Sequence, residues 1–421
     1  MHKIAFLFPG QGSQHVGMAK TLYDSFAIAK HTFEEANDIL GFDLSSLCFQ
    51  GSISELSRHQ NMQPALLAAG VASYRVYMKE TGITPQFCAG HSLGEYAALT
   101  CAGVLKFSDA LMIMRKRALL AQEVADGSNG AMTILDGVDR NTVEEECRKV
   151  SSGGLNVSVS CYNSPVQFAI SGHMEAVQLV EDRIIEFGGQ ITPLLDSPPF
   201  HSSLMQPAVD RYKLELEKYS YHYIRYPVIS NVTGRPLSTP EDVAQMLALQ
   251  LTQPVQWQAT MEYMRKKGVT LMVELGPKNV LSSLAKANIA DMDAFSYGQK
   301  EDKSALQEFI SSDLQMTRMM PNVITKCLAV SVSTPNNNPD DSEYQEGVIL
   351  PLKKIQEIQD RLERESKQPT IENMREALDM LRVILNAKKL SAEEQADWYN
   401  QILDEAGTRY LFDDFEKAVS L

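Results

Sequence analysis

The sequence predicts an α/β protein: a parallel-sheet core, a smaller α+β insertion within it and a helical extension behind it. Three observations carry this. Short apolar runs stop at glycine-bearing turns and lead into helix-length segments, as strand–helix alternation requires. A middle region changes to closely spaced strand-like runs. Towards the end, a Pro/Asn/Asp-rich stretch precedes three segments whose apolar residues recur at helical spacing.

The opening "KIAFLF" is a short apolar run halted by "PGQGSQ", a buried strand meeting a glycine-rich turn. "SISELSRHQNMQPALLAAGVASYRVYMKE" reads as a long amphipathic helical region, "QFCAG" as a second strand, and "LGEYAALTCAG" as a helix that starts at a serine turn. Between Gly130 and Leu195, "AMTILDG", "NVSVSCYN", "QFAISG" and "ITPLL" are strand-like, while "DRNTVEEECRKV" and "HMEAVQLVEDRIIEFG" are helix-like. This β-α-β-β-α-β order predicts a ferredoxin-like insertion. The core resumes through "YPVISNVTG" and "LMVELGP". "SVSTPNNNPDDSEY", residues 331–344, carries little apolar surface and reads as a linker. Behind it lie "LPLKKIQEIQDRLERE", then "TIENMREALDMLRVILNAKK" with Thr370 as its cap. The last is "SAEEQADWYNQILDEAG", with Ser391 and Glu394 at capping-box spacing and Gly407 as its stop. The expected domains are a core of residues 1–128 and 197–300, an insertion at 129–196, a connecting segment and linker at 301–344, and a helical extension at 345–421.

The 421 residues, 44% hydrophobic, are enough for two or three buried cores. A formal charge of −14 without any long Lys/Arg run argues against nucleic acid or an anionic membrane surface as partner. No stretch approaches the ~20 apolar residues of a membrane helix, and "MHKIAFLFPG" lacks the length and cleavage site of a secretory signal. Six scattered cysteines form no CxxC pair, so neither a metal site nor a disulfide framework is expected. The cytoplasm is the expected location.

Gly90-His91-Ser92-Leu93-Gly94 matches the G-x-S-x-G nucleophile elbow, with the strand before it and helix after it that the motif needs. Such a turn presents a hydroxyl at a helix N-terminus, where free N–H groups meet a developing oxyanion. The pattern alone also admits Ser92 as a small helix N-cap near close packing. A serine needs a base to take its proton. His15, His31, His59 and His222 lie in polar, exposed-looking surroundings, whereas His201 follows the stiff "SPPF" approach. Spacing alone does not separate a base from a structural histidine there.

"FLFPGQGSQ", "GHSLGEYAAL", "MRKRALLAQ", "YNSPVQFAISG", "PPFHSSLMQPA", "PVISNVTG", "QLTQPVQW" and "ELGPKNVL" together resemble, in order, the malonyl-CoA:acyl-carrier-protein transacylases. That family includes free-standing enzymes of fatty-acid synthesis and the related acyltransferases of polyketide synthases. The resemblance covers residues 1 to about 300 and implies a hydrolase-like parallel-sheet core. It implies Ser92 as the acylated serine, His201 as general base, and the N–H groups of Gln11 and Leu93 as the oxyanion hole. The Gln250 carbonyl would orient the histidine, so Asp196 is not needed as a third triad member. A dinucleotide fingerprint at the first turn fails because His15 stands where a glycine is required.

By the same resemblance, Arg117 would pair with the malonyl carboxylate, its planar fork suiting that group; by itself it is also part of the basic run Arg115-Lys116-Arg117 on a helix whose buried side holds Leu111, Met114 and Leu119. Phe200 would fill the space of an α-methyl group, and Asn163 would contact substrate from the insertion. The implied activity is an [acyl-carrier-protein] S-malonyltransferase, moving malonyl or a related dicarboxylic acyl group from coenzyme A to the phosphopantetheine thiol of an acyl carrier protein. No metal or cofactor is implied; malonyl-CoA is a substrate and phosphopantetheine belongs to the partner. An acyl hydrolase acting on carrier-bound chains is the alternative. The C-terminal helices, with Trp398, Tyr399 and Tyr410, would suit docking to a polyketide or hybrid synthase, or simply cover the core.

Overall fold

A strand covered by helices on both faces shows no polar side, and Ile4–Phe8 (β1) is buried at all five positions. It is the middle of a parallel five-stranded sheet ordered β7-β2-β1-β8-β9, completed by Phe87–Gly90 (β2), Val228–Ile229 (β7), Leu271–Glu274 (β8) and Asp293–Ser296 (β9). The structure, a computed structural model, describes residues 2–152, 155–319, 323–365, 369–406, 408 and 412, with backbone alone at 311–319 and 341. It divides into two units, His2–Gln307 and Glu308 onward.

In the first unit, Phe8 of β1 lies opposite Gly90 of β2. The loops leaving both strands therefore emerge side by side at the carboxyl edge of the sheet, the usual ligand side of such folds. The helix His59–Thr81 is not amphipathic as expected. Fifteen of its residues are buried, its run of alanines and Gly70 letting it sit among other elements rather than over them.

The insertion consists of Gly130–Asp136 (β3), Val157–Ser164 (β4), Gln167–His173 (β5) and Gln190–Pro193 (β6) in an antiparallel sheet ordered β4-β5-β3-β6, with helices Arg140–Ser151 and Met174–Glu186. This is the ferredoxin-like order. Leu135, Val143, Phe168, Ile170, Val177 and Ile184 form its own core. A backbone bridge between Cys161 and Val255 fastens β4 to the larger core.

In the second unit, helices at Leu350–Arg364, Ile371–Ala387 and Ala392–Glu405 pack through Ile355, Leu378, Leu381, Ile384 and Leu403. Thr370 and Ser391 both close capping boxes, with Asn373 and Glu394. The linker expected at 331–344 is a correction. Ser331–Ser333 ends the helix Val323–Ser333, and Thr334 and Asn338 beyond it are buried. Hydrogen bonds, which an apolar-surface argument does not count, hold this polar stretch in place. Lys388 Nζ donates to the carbonyls of Ser331 (2.7 Å) and Thr334 (2.8 Å), and Asn338 Nδ2 to that of Ala387 (2.9 Å). Tyr399 lies inside the helical core and Trp398 packs against it, so neither is a free docking side chain. Gly407 and Tyr410 lie outside the described residues.

Candidate active site

The turn after β2 is possible only because of its glycines. A Cβ on Gly90 would stand 2.0 Å from the carbonyl of Gly94, and one on Gly94 would stand 2.0 Å from the carbonyl oxygen of Phe8. Ser92, between them, takes the left-handed conformation with φ 52° and precedes the helix Gly94–Cys101. Asn231, just past β7, holds this strained elbow from both ends: its Oδ1 accepts from Ser92 N (2.6 Å) and its Nδ2 donates to Gly90 O (2.7 Å).

His201 is also left-handed, φ 61°, with its N–H bonded to Leu251 O at 2.8 Å. Its Nδ1 lies 2.7 Å from the carbonyl oxygen of Gln250. A carbonyl only accepts, so Nδ1 donates, and the Nε2 lone pair faces the Ser92 hydroxyl at 2.7 Å. Burial, and then the charge of Arg117, lower the imidazole pKa to about 3, so the ring is neutral at physiological pH.

Arg117 is 2% exposed. Its Nη2 donates to Ser92 Oγ (3.3 Å) and to Gln250 Oε1 (3.2 Å), and its Nη1 to Gln63 Oε1 (3.2 Å). The guanidinium lies 4.3 Å from the Phe200 ring centroid, so the structure places Phe200 as the face on which the cation rests. Among the described residues no carboxylate forms an ion pair with Arg117, and its Nε has no partner. A buried cation in that position is a site for an anion.

Gln11 follows β1, and a Cβ on the preceding Gly10 would meet His91 O at 2.4 Å, so its loop runs against the elbow. Among the described residues, the N–H groups of Gln11 and Leu93 donate to no protein group. Asn163 is placed differently. Its amide meets His91 Nε2 at 2.8 Å and Gln167 Oε1 at 3.2 Å, tying the insertion to the back of the elbow. A cleft of about 770 Å³ opens beside the cluster, lined by Gln11, His59, Met62, Ala118, Leu194 and Asp196. No group of three His, Cys, Asp or Glu among the described residues is arranged to hold a metal.

With this geometry in place, comparison with known proteins is decisive. The acyl transferase domain family matches residues 5–315. The chain belongs to the acyl transferase family. It is 38% identical over 395 residues to a malonyl CoA-acyl carrier protein transacylase of Bacillus subtilis, covering 94% of this chain and 99% of that protein. The Escherichia coli K12 protein of the same name is 39% identical over 309 residues, 73% of this chain and 100% of that one. FabD from Acinetobacter baumannii superposes with a TM-score of 0.70 at 38% identity, covering 74% of this chain and 99% of that one. A type II PKS malonyl-transacylase, solved with its acyl-carrier protein, gives 0.69 at 38% identity over 71% and 97%. The Bacillus relative, matched over 94% of this chain, thus runs on through most of the second unit.

Four residues of this acyl transferase's site escape a reading of the sequence. His59, expected to be exposed, is 6% exposed with its ring 5.8 Å from that of Phe200; burial and the Arg117 charge lower its pKa to about 4. Gln63, Glu95 and Asn231 are buried around Ser92 and Arg117. For Asn231 a signal existed: it follows the carboxyl end of a sheet strand, where sites of this fold class gather. Leu119, expected inside, is 41% exposed, the Arg117 helix turning it outward.

Proposed function

We propose that this acyl transferase moves a malonyl group from coenzyme A to the phosphopantetheine thiol of an acyl carrier protein through an ester on Ser92. The observation that carries this reading is the buried, carboxylate-free guanidinium of Arg117 beside the Ser92 hydroxyl. An acyl group bound to Ser92 and bearing its own carboxylate supplies the missing anion; acetyl does not.

His201 Nε2 takes the Ser92 proton as Oγ attacks the thioester carbonyl. The N–H groups of Gln11 and Leu93 receive the oxyanion. Collapse breaks the C–S bond, His201 protonates the departing coenzyme A sulfur, and malonyl-serine remains. The carrier's thiol then gives its proton to His201, its sulfur attacks the ester carbonyl, and the protonated histidine returns the proton to Ser92 Oγ as that oxygen leaves. Burial first, and the Arg117 charge second, hold His201 low; the malonyl carboxylate offsets the second of these, so donor binding itself raises the basicity of the histidine. Phe200 supports the clamp from beneath, and Asn163 holds His91 and the insertion in register.

The carrier protein is a separate chain of a fatty-acid or polyketide system, since the relatives' names couple the transacylase to such a partner. Six unpaired, buried cysteines fit a cytoplasmic enzyme. The test is intact-mass analysis after mixing with malonyl-CoA. A malonyl adduct is expected on the wild-type chain, absent in Ser92→Ala, suppressed in Arg117→Ala, and discharged by a holo carrier protein. Free malonate without an adduct would instead identify a hydrolase.

A further inference from the structure

Glu95 sits one residue into the helix that follows Ser92 and is 1% exposed. Its Oε2 accepts from Gln250 Nε2 at 2.6 Å and from Asn231 N at 3.3 Å, while Oε1 has no partner. Gln250 is a junction. Its backbone carbonyl holds His201, its Nε2 also donates to Ser92 O (3.1 Å), and its Oε1 accepts from Arg117 (3.2 Å). A side-chain amide has one accepting and one donating end, so its orientation decides whether Arg117 meets an acceptor or another donor.

We propose that Glu95 is a positioning residue for donor selection: its buried carboxyl fixes which way the Gln250 amide points and, through that amide, holds the Arg117 guanidinium beside Ser92. The Ser92 carbonyl is the weaker guide, because it also accepts from the N–H of Glu95 at 3.1 Å. Burial pushes the Glu95 carboxyl up to about 7. Two N–H groups nevertheless aim at Oε2, so that oxygen accepts in either protonation state and a proton resides on Oε1. Without Glu95, a reversed Gln250 presents N–H to N–H at Arg117, and the clamp loses its aim while the Ser92–His201 pair keeps its own hydrogen bond.

The inference rests on the malonyl-transfer reading. Its test compares Glu95→Leu, which has no acceptor, with Glu95→Gln, which keeps one, by the efficiency of Ser92 loading from malonyl-CoA and from acetyl-CoA. Glu95→Leu is expected to lose about tenfold or more with malonyl-CoA but under about threefold with acetyl-CoA, lowering the preference between them. Glu95→Gln is expected to restore that preference to within about threefold of wild type. A wild-type preference in a folded Glu95→Leu overturns the proposal, as does a Glu95→Gln chain that loses the preference as fully as Glu95→Leu. Thermal unfolding establishes folding, and Glu95→Met replaces the leucine variant if that fails to fold. Wild-type protein that takes up no malonyl group would overturn the transfer reading itself, an outcome distinct from the other two.

Discussion

At the residue scale, the cluster of Ser92, His201 and Arg117 is held in place by side chains around it. Asn231 is the clearest: removing its amide leaves the N–H of Ser92 and the carbonyl of Gly90 without their partners, and the left-handed serine without its restraint. Asn231→Ala should lower stability by about 1–3 kcal/mol, read by denaturant unfolding. It should also slow Ser92 malonylation about ten- to a hundredfold, because the hydroxyl loses its fixed approach. A variant as fast as wild type would show that the glycines alone hold the elbow. Ser92 was legible because a short pattern with a strand before it and a helix after it carries its own geometry. His201, Arg117 and Gln250 were legible only through the family resemblance. Glu95, Gln63 and His59 were not, since their use depends on which helix face turns inward, and polar neighbours in "SRHQ" pointed the wrong way for His59.

At the element scale, four strands of the central sheet and all four of the insertion followed from apolar runs and turn residues, and the last three helices from periodicity and caps, whereas the edge strand β9, only four residues with an exposed Asp293, left no such run to read. The error at 331–344 has a definite cause. Composition measures what a segment can bury, whereas this one is held by what it can accept, and its chief donor, Lys388, lies 54 residues from Thr334. Lys388→Met should therefore leave the carbonyls of Ser331 and Thr334 unpaired and weaken the second unit by about 1–3 kcal/mol. Limited proteolysis should cut within 334–340 sooner in the variant, with malonyl loading unaffected. Equal cleavage rates would mean that the helices alone fix this segment.

At the scale of the whole molecule, buried ionisable groups set the response to pH. Glu274 caps the helix Val280–Asn288, its Oε2 accepting from Ser282 N (2.8 Å) and Ser282 Oγ (2.9 Å). Burial raises its pKa from the ordinary 4.5 to about 7. The folded chain thus keeps a proton that the unfolded chain gives up first, so the group's contribution is full below 4.5 and is lost as pH rises through about 7. Glu274→Gln keeps the acceptor without titrating, and its stability relative to wild type should grow by up to about 3 kcal/mol between about pH 4.5 and pH 8. Unfolding midpoints whose difference ignores pH would contradict this. His59 and His201 act at the other end: their lowered values make stability fall as pH drops from 6.5 towards about 4 and about 3. The six cysteines have a consequence of a different kind. All are buried, and burial pushes every thiol well above its ordinary range. An enzyme that handles thioesters and greets a partner by its free sulfhydryl would be trapped by any accessible thiolate of its own, through a mixed disulfide or a misdirected acyl group. With all six thiols buried, none competes with the Ser92 hydroxyl proposed as the acyl acceptor, and the acyl group is handed over through an oxygen ester.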